Sequence, residues 1–176
     1  MEKLHSQSIG LPVITENGQM VGRIFDILVN PDTGKIAGFL VGAVGNKVVS
    51  PIDVITWNNS LVIADEEALL DPEDLHAVQQ IFKKNLRIVR NKVVTKSGEH
   101  LGKVYDAAYN SKMFLLTGIL VGKSFMGVYY DRKTVAHKDI IEVTAEKIIV
   151  KDPLRLIPVK AKKLSPKLSV DPAPTS

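Results

Sequence analysis

No cysteine occurs anywhere in the 176 residues. That absence excludes disulfides, thiolate metal sites and thiol nucleophiles together, and it fits a reducing compartment. Long hydrophobic runs are missing too. The opening stretch, MEKLHSQSIGLPVITENG, holds no apolar run of the length a secretory signal needs. Nowhere does an uncharged apolar stretch approach the ~20 residues that span a bilayer. The expectation is a soluble, cytoplasmic protein. A charged body is also lacking. From Lys151 onward the chain carries Lys151, Arg155, Lys160, Lys162, Lys163 and Lys167 against Asp152 and Asp171, six minus two, which is the whole net charge of +4. Residues 1–150 are therefore formally neutral, so any general affinity for polyanions resides in the tail.

What the chain does have is apolar residues, 45% of the total, enough to build a core. It also has a phrase written twice. VGRIFD at Val21–Asp26 returns as LGKVYD at Leu101–Asp106, eighty positions on. At that offset Val13 meets Val93, Thr15 meets Thr95, Gly18 meets Gly98 and Gly22 meets Gly102. Asp26 then meets Asp106, Asn30 meets Asn110, and GFLVG (Gly38–Gly42) meets GILVG (Gly118–Gly122), all without a gap. The register breaks where the second copy carries about six extra residues in KSFMGVYYDRK, then resumes as VVSPIDVI (Val48–Ile55) against TVAHKDII (Thr134–Ile141). Identities that hold one spacing this far indicate a duplicated domain, and two copies make it a tandem rather than an array.

Within each copy the pattern is one of short strands. β-Branched residues alternate around Asn17-Gly18, a pair suited to the positive φ of a tight hairpin, and Ser97-Gly98 stands at the same place in copy two. Asn30–Lys35, NPDTGK, supplies a second turn. Gly22 and Gly102 interrupt strand pattern, where glycine marks a bulge or a close backbone approach. Each copy closes on a β-branched run, LVIAD at Leu61–Asp65 and IIVKD at Ile148–Asp152. Short strands at this spacing indicate small barrels or sandwiches. Between the copies, LLDPEDLHAVQQIFKKN reads as one amphipathic helix. Asp71 is its expected cap and Pro72 its first residue, with Leu75, Val78, Ile81 and Phe82 along one face. The expected organisation is a first barrel over 1–70, a linking helix over 71–86, a second barrel over 87–154, and a basic, disordered Pro/Ser/Lys-rich tail over 155–176.

The recurring Gly-Arg/Lys-Ile/Val-Phe/Tyr-Asp, set after a hairpin and before a GxLVG strand, resembles the PRC-barrel family. That family takes in the cytoplasmic domain of the photosynthetic reaction centre H subunit and the C-terminal domain of the small-subunit ribosome maturation factor. The resemblance covers nearly all of 8–65 and 88–152. It implies a mainly β protein of two small, partly open barrels serving docking and assembly, similar to stand-alone tandem PRC-barrel proteins of bacteria. The shared positions Gly18, Gly22, Asp26, Gly38, Gly42 and Gly98, Gly102, Asp106, Gly118, Gly122 read as its structural motif.

Few residues offer chemistry. His5, His76, His100 and His137 show no metal-ligand spacing and read as solvated or locally bonded imidazoles. Asp26 and Asp106 could face each other as paired carboxylates. The blander reading has each accept backbone N–H groups at a strand end, and Asp53 and Asp139 read the same way. Gly42–Lys47, GAVGNK, lacks the Gly-Lys-Ser/Thr ending of a phosphate loop and reads as a hairpin. No catalytic, cofactor-binding or metal residue is expected. The inserted segment crowds Phe125, Met126, Tyr129 and Tyr130 beside Lys123. That composition fits a partner-binding patch, although the first reading of GVYYD is a strand extension with one tyrosine face buried. The leading expectation is a non-enzymatic adaptor that binds another protein, as a monomer with pseudo-twofold symmetry or a weak homodimer. An RNA- or ribosome-associated factor is the alternative, and a ligand-binding cleft between the copies a third reading. The tail reads first as a solubilising segment, with weak contact to RNA or anionic membrane as its other reading.

Overall fold

A computed structural model of the chain describes residues 1–42 and 46–152 and the backbone of 157–158. The expected disorder of the tail and part of the GAVGNK hairpin fall outside these residues. Strand β1 (Glu2–Leu4) and the single turn α1 (His5–Ser8) form an N-terminal arm. The first sheet follows, with β2 (Pro12–Thr15), β3 (Met20–Val29), β4 (Ile36–Val41), β5 (Lys47–Val49), β6 (Val54–Trp57) and β7 (Leu61–Ile63). Its order is β5-β4-β3-β2-β7-β6, all antiparallel except β2 with β7. Helix α2 (His76–Lys83) leads to the second sheet of β8 (Lys92–Thr95), β9 (His100–Asn110), β10 (Leu115–Phe125), β11 (Val128–Ala136), β12 (Ile140–Val143), β13 (Lys147–Val150) and β14 (Ile157–Pro158). Its order, β12-β13-β8-β9-β10-β11-β14, repeats the first, including one parallel pair, β13 with β8. The protein is thus mainly β, with two sheets that remain open, as partly open barrels do.

The local signals explain the turns. Between β2 and β3, Thr15 accepts from the amide of Gly18 at 2.8 Å, and only Gly18 of the Asn17-Gly18 pair has positive φ, +82°. The connection is therefore a turn closed by a left-handed glycine rather than a two-residue hairpin. At the next turn Asn30 Oδ1 accepts from the amides of Asp32 and Thr33, and Asn110 Oδ1 does the same for Lys112 and Met113. Gly34 adopts φ +71° there, yet its counterpart is Phe114 at φ +52°. Packing holds Phe114 in that costly region: its ring stacks on Trp57 at 6.2 Å and 10°, with Phe39 edge-on to both.

The expected helix over 71–86 is divided. Pro72–Asp74 is a 3-10 turn, Asp71 makes no side-chain cap bond, and Leu75 is extended at φ −110° before α2 begins. Val78 and Ile81 are buried with Leu28, Leu40 and Val48, and Leu75 packs against them. Phe82, expected on the same face, is exposed.

The two halves share one core. A single cluster of buried side chains joins Val13, Phe39, Trp57 and Ile63 of the first sheet to Val93, Tyr109, Ile119 and Ile148 of the second. Backbone bonds cross between the halves as well. Ile36 donates to the Phe114 carbonyl at 2.9 Å and Leu116 to the Gly34 carbonyl at 2.7 Å, flanking a bridge between Lys35 and Leu115. Each bond becomes the other when the numbers shift by eighty. The arm departs from this symmetry, because β1 lies along β9 of the second sheet, with Lys3 opposite Tyr109.

Candidate functional site

The repeated phrase directs its side chains to one place. On β3 the ladder with β4 slips between Ile24 and Asp26, leaving Phe25 unpaired, so Phe25 and Asp26 escape strict alternation between buried Ile24 and Ile27; on β9 the ladder with β10 slips in the same way at Tyr105, between Val104 and Asp106. Phe25, Asp26, Tyr105 and Asp106 line a cleft of about 820 Å³ between the halves, with α1, the end of α2 and Tyr129 of β11 completing its walls. Exposed apolar surface collects in it: Ile9 from the arm, Phe25 from the first sheet and Phe82 from α2.

Asp26 and Asp106 therefore share a cleft, as the paired reading expects, yet they are not equivalent. Asp106 is buried and accepts from the backbone amide of Ser6 at 3.0 Å, the Ser6 hydroxyl at 2.5 Å and the amide of Ala107 at 2.9 Å. Asp26 accepts from the amide of Ile27 at 2.8 Å, and its side chain is half exposed. The backbone-holding role appears in both. The grip on the arm belongs to Asp106.

His5 stands between them. Its Nε2 faces Asp26 Oδ1 at 3.5 Å, and its Nδ1 meets the Tyr109 hydroxyl at 3.1 Å. Burial pushes the imidazole below its ordinary value, against the opposing pull of the Asp26 and Asp106 carboxylates and with some help from Arg90. A neutral ring beside a carboxylate, which can only accept, carries its proton on Nε2 and accepts at Nδ1. Tyr109 then donates. Burial drives the Tyr109 phenol far above its usual range, and both aspartates add to this, so the hydroxyl proton stays in place.

A pH effect follows. Because burial lowers the folded-state value of His5, protons bind the unfolded chain preferentially once pH falls below about 6.5. His5 thus contributes stability that is full above that pH and is lost as pH falls through its folded value. Urea unfolding midpoints should decline between pH 7 and pH 5 in the parent and decline less in His5→Gln. Equal slopes would show that His5 is not held neutral.

The inserted segment is a strand extension and more. β10 and β11 run past the neighbouring strands to a two-residue turn, Met126-Gly127, both at positive φ (+48° and +80°). Phe125 faces Val128 and Lys123 faces Tyr130 across the ladder, so these four share one side of the ribbon. Tyr129 lies on the other, 5.1 Å from the Tyr105 ring, with the Arg132 guanidinium 5.6 Å above Tyr105. The expected patch is therefore split. Tyr129 turns to the cleft, while Phe125, Met126 and Tyr130 remain exposed and are joined by Val128. Asp131 binds Lys133 at 2.7 Å and Lys123 at 3.6 Å at the base of the tip, and the Lys133 hydrogen bond holds its carboxyl below the usual range.

The PRC-barrel domain family matches residues 2–70. Residues 2–70 are a PRC-barrel domain. Phe25 and Asp26, which end the motif Gly22-Arg23-Ile24-Phe25-Asp26 on β3, are thus the part of it that faces the cleft, and the arm within the matched span is the part that leaves for the other sheet. No curated protein matches the chain.

Sequence reasoning missed His5 and Ser6, whose partners lie about a hundred positions away. His137 is similar: its Nε2 meets the Pro31 carbonyl at 3.0 Å and its ring covers Gly34, a contact across the halves. Nothing local announces such pairs. His76 and His100 join no such site, and Asp53 and Asp139 sit at the ends of matching 3-10 turns, Pro51–Asp53 and His137–Asp139. Gly118 lies where an added Cβ would come within 2.8 Å of the Val135 carbonyl oxygen, a spacing role. Among the described residues no group of His, Asp or Glu could hold a metal ion, and no helix is long and apolar enough to cross a membrane.

Proposed function

We propose that this chain is a non-enzymatic adaptor, a tandem of two PRC barrels whose shared cleft receives another protein. The observation that carries this is composite ownership of the cleft. The arm, both sheets and α2 each contribute to it, and Ile9, Phe25 and Phe82 present apolar surface there that the fold itself leaves uncovered. Two further features support the reading. Asp106 and His5 are engaged in holding the arm, which leaves them poorly placed as acid or base. The repeated strand order and the reciprocal bonds at Lys35 and Leu115 support two copies related by a pseudo-twofold, so that one chain does what a pair of single barrels would.

The test is affinity capture with the immobilised full chain from lysate of its own cells. The parent should retain a defined protein in stoichiometric amount, and Phe25→Ser combined with Phe82→Ser should lose it. Both side chains are exposed, so the double variant should keep the parental thermal transition. Retention unchanged by the double variant, or no retained protein at all, refutes the proposal.

A further inference from the structure

The tip of the β10–β11 hairpin is a second surface, and it faces away from the cleft. From Ser124 to Tyr130 the chain carries no charge. Within it Phe125 is 72% exposed, Met126 88% and Val128 66%. These form a narrow convex ridge rather than a pocket or a flat face. Protein partners that take such a ridge need a matching groove; a fluid surface does not.

Three observations favour a lipid bilayer with anionic headgroups. The first concerns backbone groups. Phe125 pairs with Val128 across the two-residue turn, so the peptide groups of that pair bond to each other and can leave water at low cost, while those of Ser124 and Tyr129, which point outward from the ribbon, lie nearer its base. The second is depth. From the Lys123–Tyr130 pair to the Phe125–Val128 pair is two residues, roughly 7 Å of strand, which matches the ~5–10 Å that interfacial segments sink. At that immersion Tyr130 and the Lys123 ammonium stand at headgroup level, where tyrosine and long cationic side chains are favoured.

The third is charge and the course of the chain. The hairpin carries Lys123, Arg132 and Lys133 against Asp131, three minus one, or +2. β14 runs antiparallel to β11, pairing Ile157 with Thr134 and then Pro158 with Lys133, so at Pro158 the chain is heading toward the tip. The sequence that follows holds Lys160, Lys162, Lys163 and Lys167 against Asp171, four minus one, or +3. Stable attachment to a surface takes two signals, an apolar one and a basic one. Here the tip supplies the apolar signal, and β14, which precedes the basic sequence, runs toward that tip.

We propose that the β10–β11 tip is a membrane-surface anchor, in which Phe125, Met126 and Val128 enter the interface of an anionic bilayer and the hairpin and tail lysines meet its headgroups. The adaptor reading concerns the cleft and is independent of this one.

Sedimentation of the full chain with phosphatidylcholine vesicles, with and without phosphatidylserine, tests it. The parent should bind the anionic vesicles well above the neutral ones, and less as salt rises, since screening shortens the reach of exposed charge. Phe125→Ser with Met126→Ser should lower binding about tenfold or more, the effect of removing two large apolar groups from the interface. Replacing Lys160, Lys162, Lys163 and Lys167 by Gln in the full chain should lower it several-fold and flatten the salt dependence. As a site-specific reporter, Val128→Trp should shift its emission to the blue on adding anionic vesicles; the native Trp57 is buried and gives a constant background. Phe25→Ser with Phe82→Ser should bind vesicles as the parent does. Equal binding to neutral and anionic vesicles, undiminished binding by the tip variant, or an unmoved Val128→Trp emission would overturn the proposal, the last also if a protein rather than lipid takes the tip.

Discussion

Gly102→Ala is expected to destabilise the protein by about 3 kcal/mol or more, and Gly22→Ala by distinctly less, although the two glycines occupy the same place in the repeated phrase. At Gly102 two penalties coincide. Its φ is +122°, which L side chains rarely adopt, and an added Cβ would overlap the Gly122 carbonyl, with the Lys123 amide nitrogen only 2.8 Å away. Both obstacles are backbone of the neighbouring strand β10, so relief requires parting β9 from β10 at the centre of the second sheet. At Gly22 the backbone is unstrained and the nearest atom is a Val41 methyl at 2.7 Å, which a small shift of one side chain can relieve. That shift costs about 1–3 kcal/mol in a packed core. Urea midpoints of the two variants decide the matter. Equal losses would mean that the close approach of β9 to β10 is not as drawn.

Asp106→Ala is expected to cost about 2–4 kcal/mol and Asp26→Ala under about 1 kcal/mol, a second asymmetry between matching residues. Asp106 is buried under three donors, and removing it leaves the Ser6 amide and hydroxyl without their acceptor. The arm should then lift from β9. Amide exchange in residues 2–8 and at Ala108–Asn110 should quicken in Asp106→Ala and stay at parental rates in Asp26→Ala. Parental exchange rates in both would show that the arm is held by β1–β9 pairing alone. The same network links to the pH effect, since a lifted arm exposes His5 and removes the burial that keeps it neutral.

These asymmetries show where sequence reading reached and where it stopped. The strand alternation, the turns marked by Gly18, Gly34 and Asn30 and the repeated order of elements are local properties, stated within a few positions of chain. The helix was legible as an element but not in its extent. Pro72 and the acidic run that follows suit a helix start, yet Leu75 is drawn into the small core under α2 and interrupts it. Phe114 was not legible at all as a left-handed residue, because only the stacked Trp57 ring across the interface makes that conformation worth its strain.

By itself the sequence determined the mainly β character, the family of residues 2–70 and the positions of the turns, since these rest on side-chain periodicity and on glycine's backbone freedom, both readable over short spans. Tertiary structure alone decided that the arm of the first half lies on the sheet of the second, that His5 and Ser6 meet Tyr109 and Asp106, that matching residues carry unequal burdens, and that the inserted segment sends Tyr129 inward while Phe125 and Met126 stand free. Those outcomes depend on which surfaces remain uncovered once two sheets have closed on a common core, and no short stretch of chain contains that information.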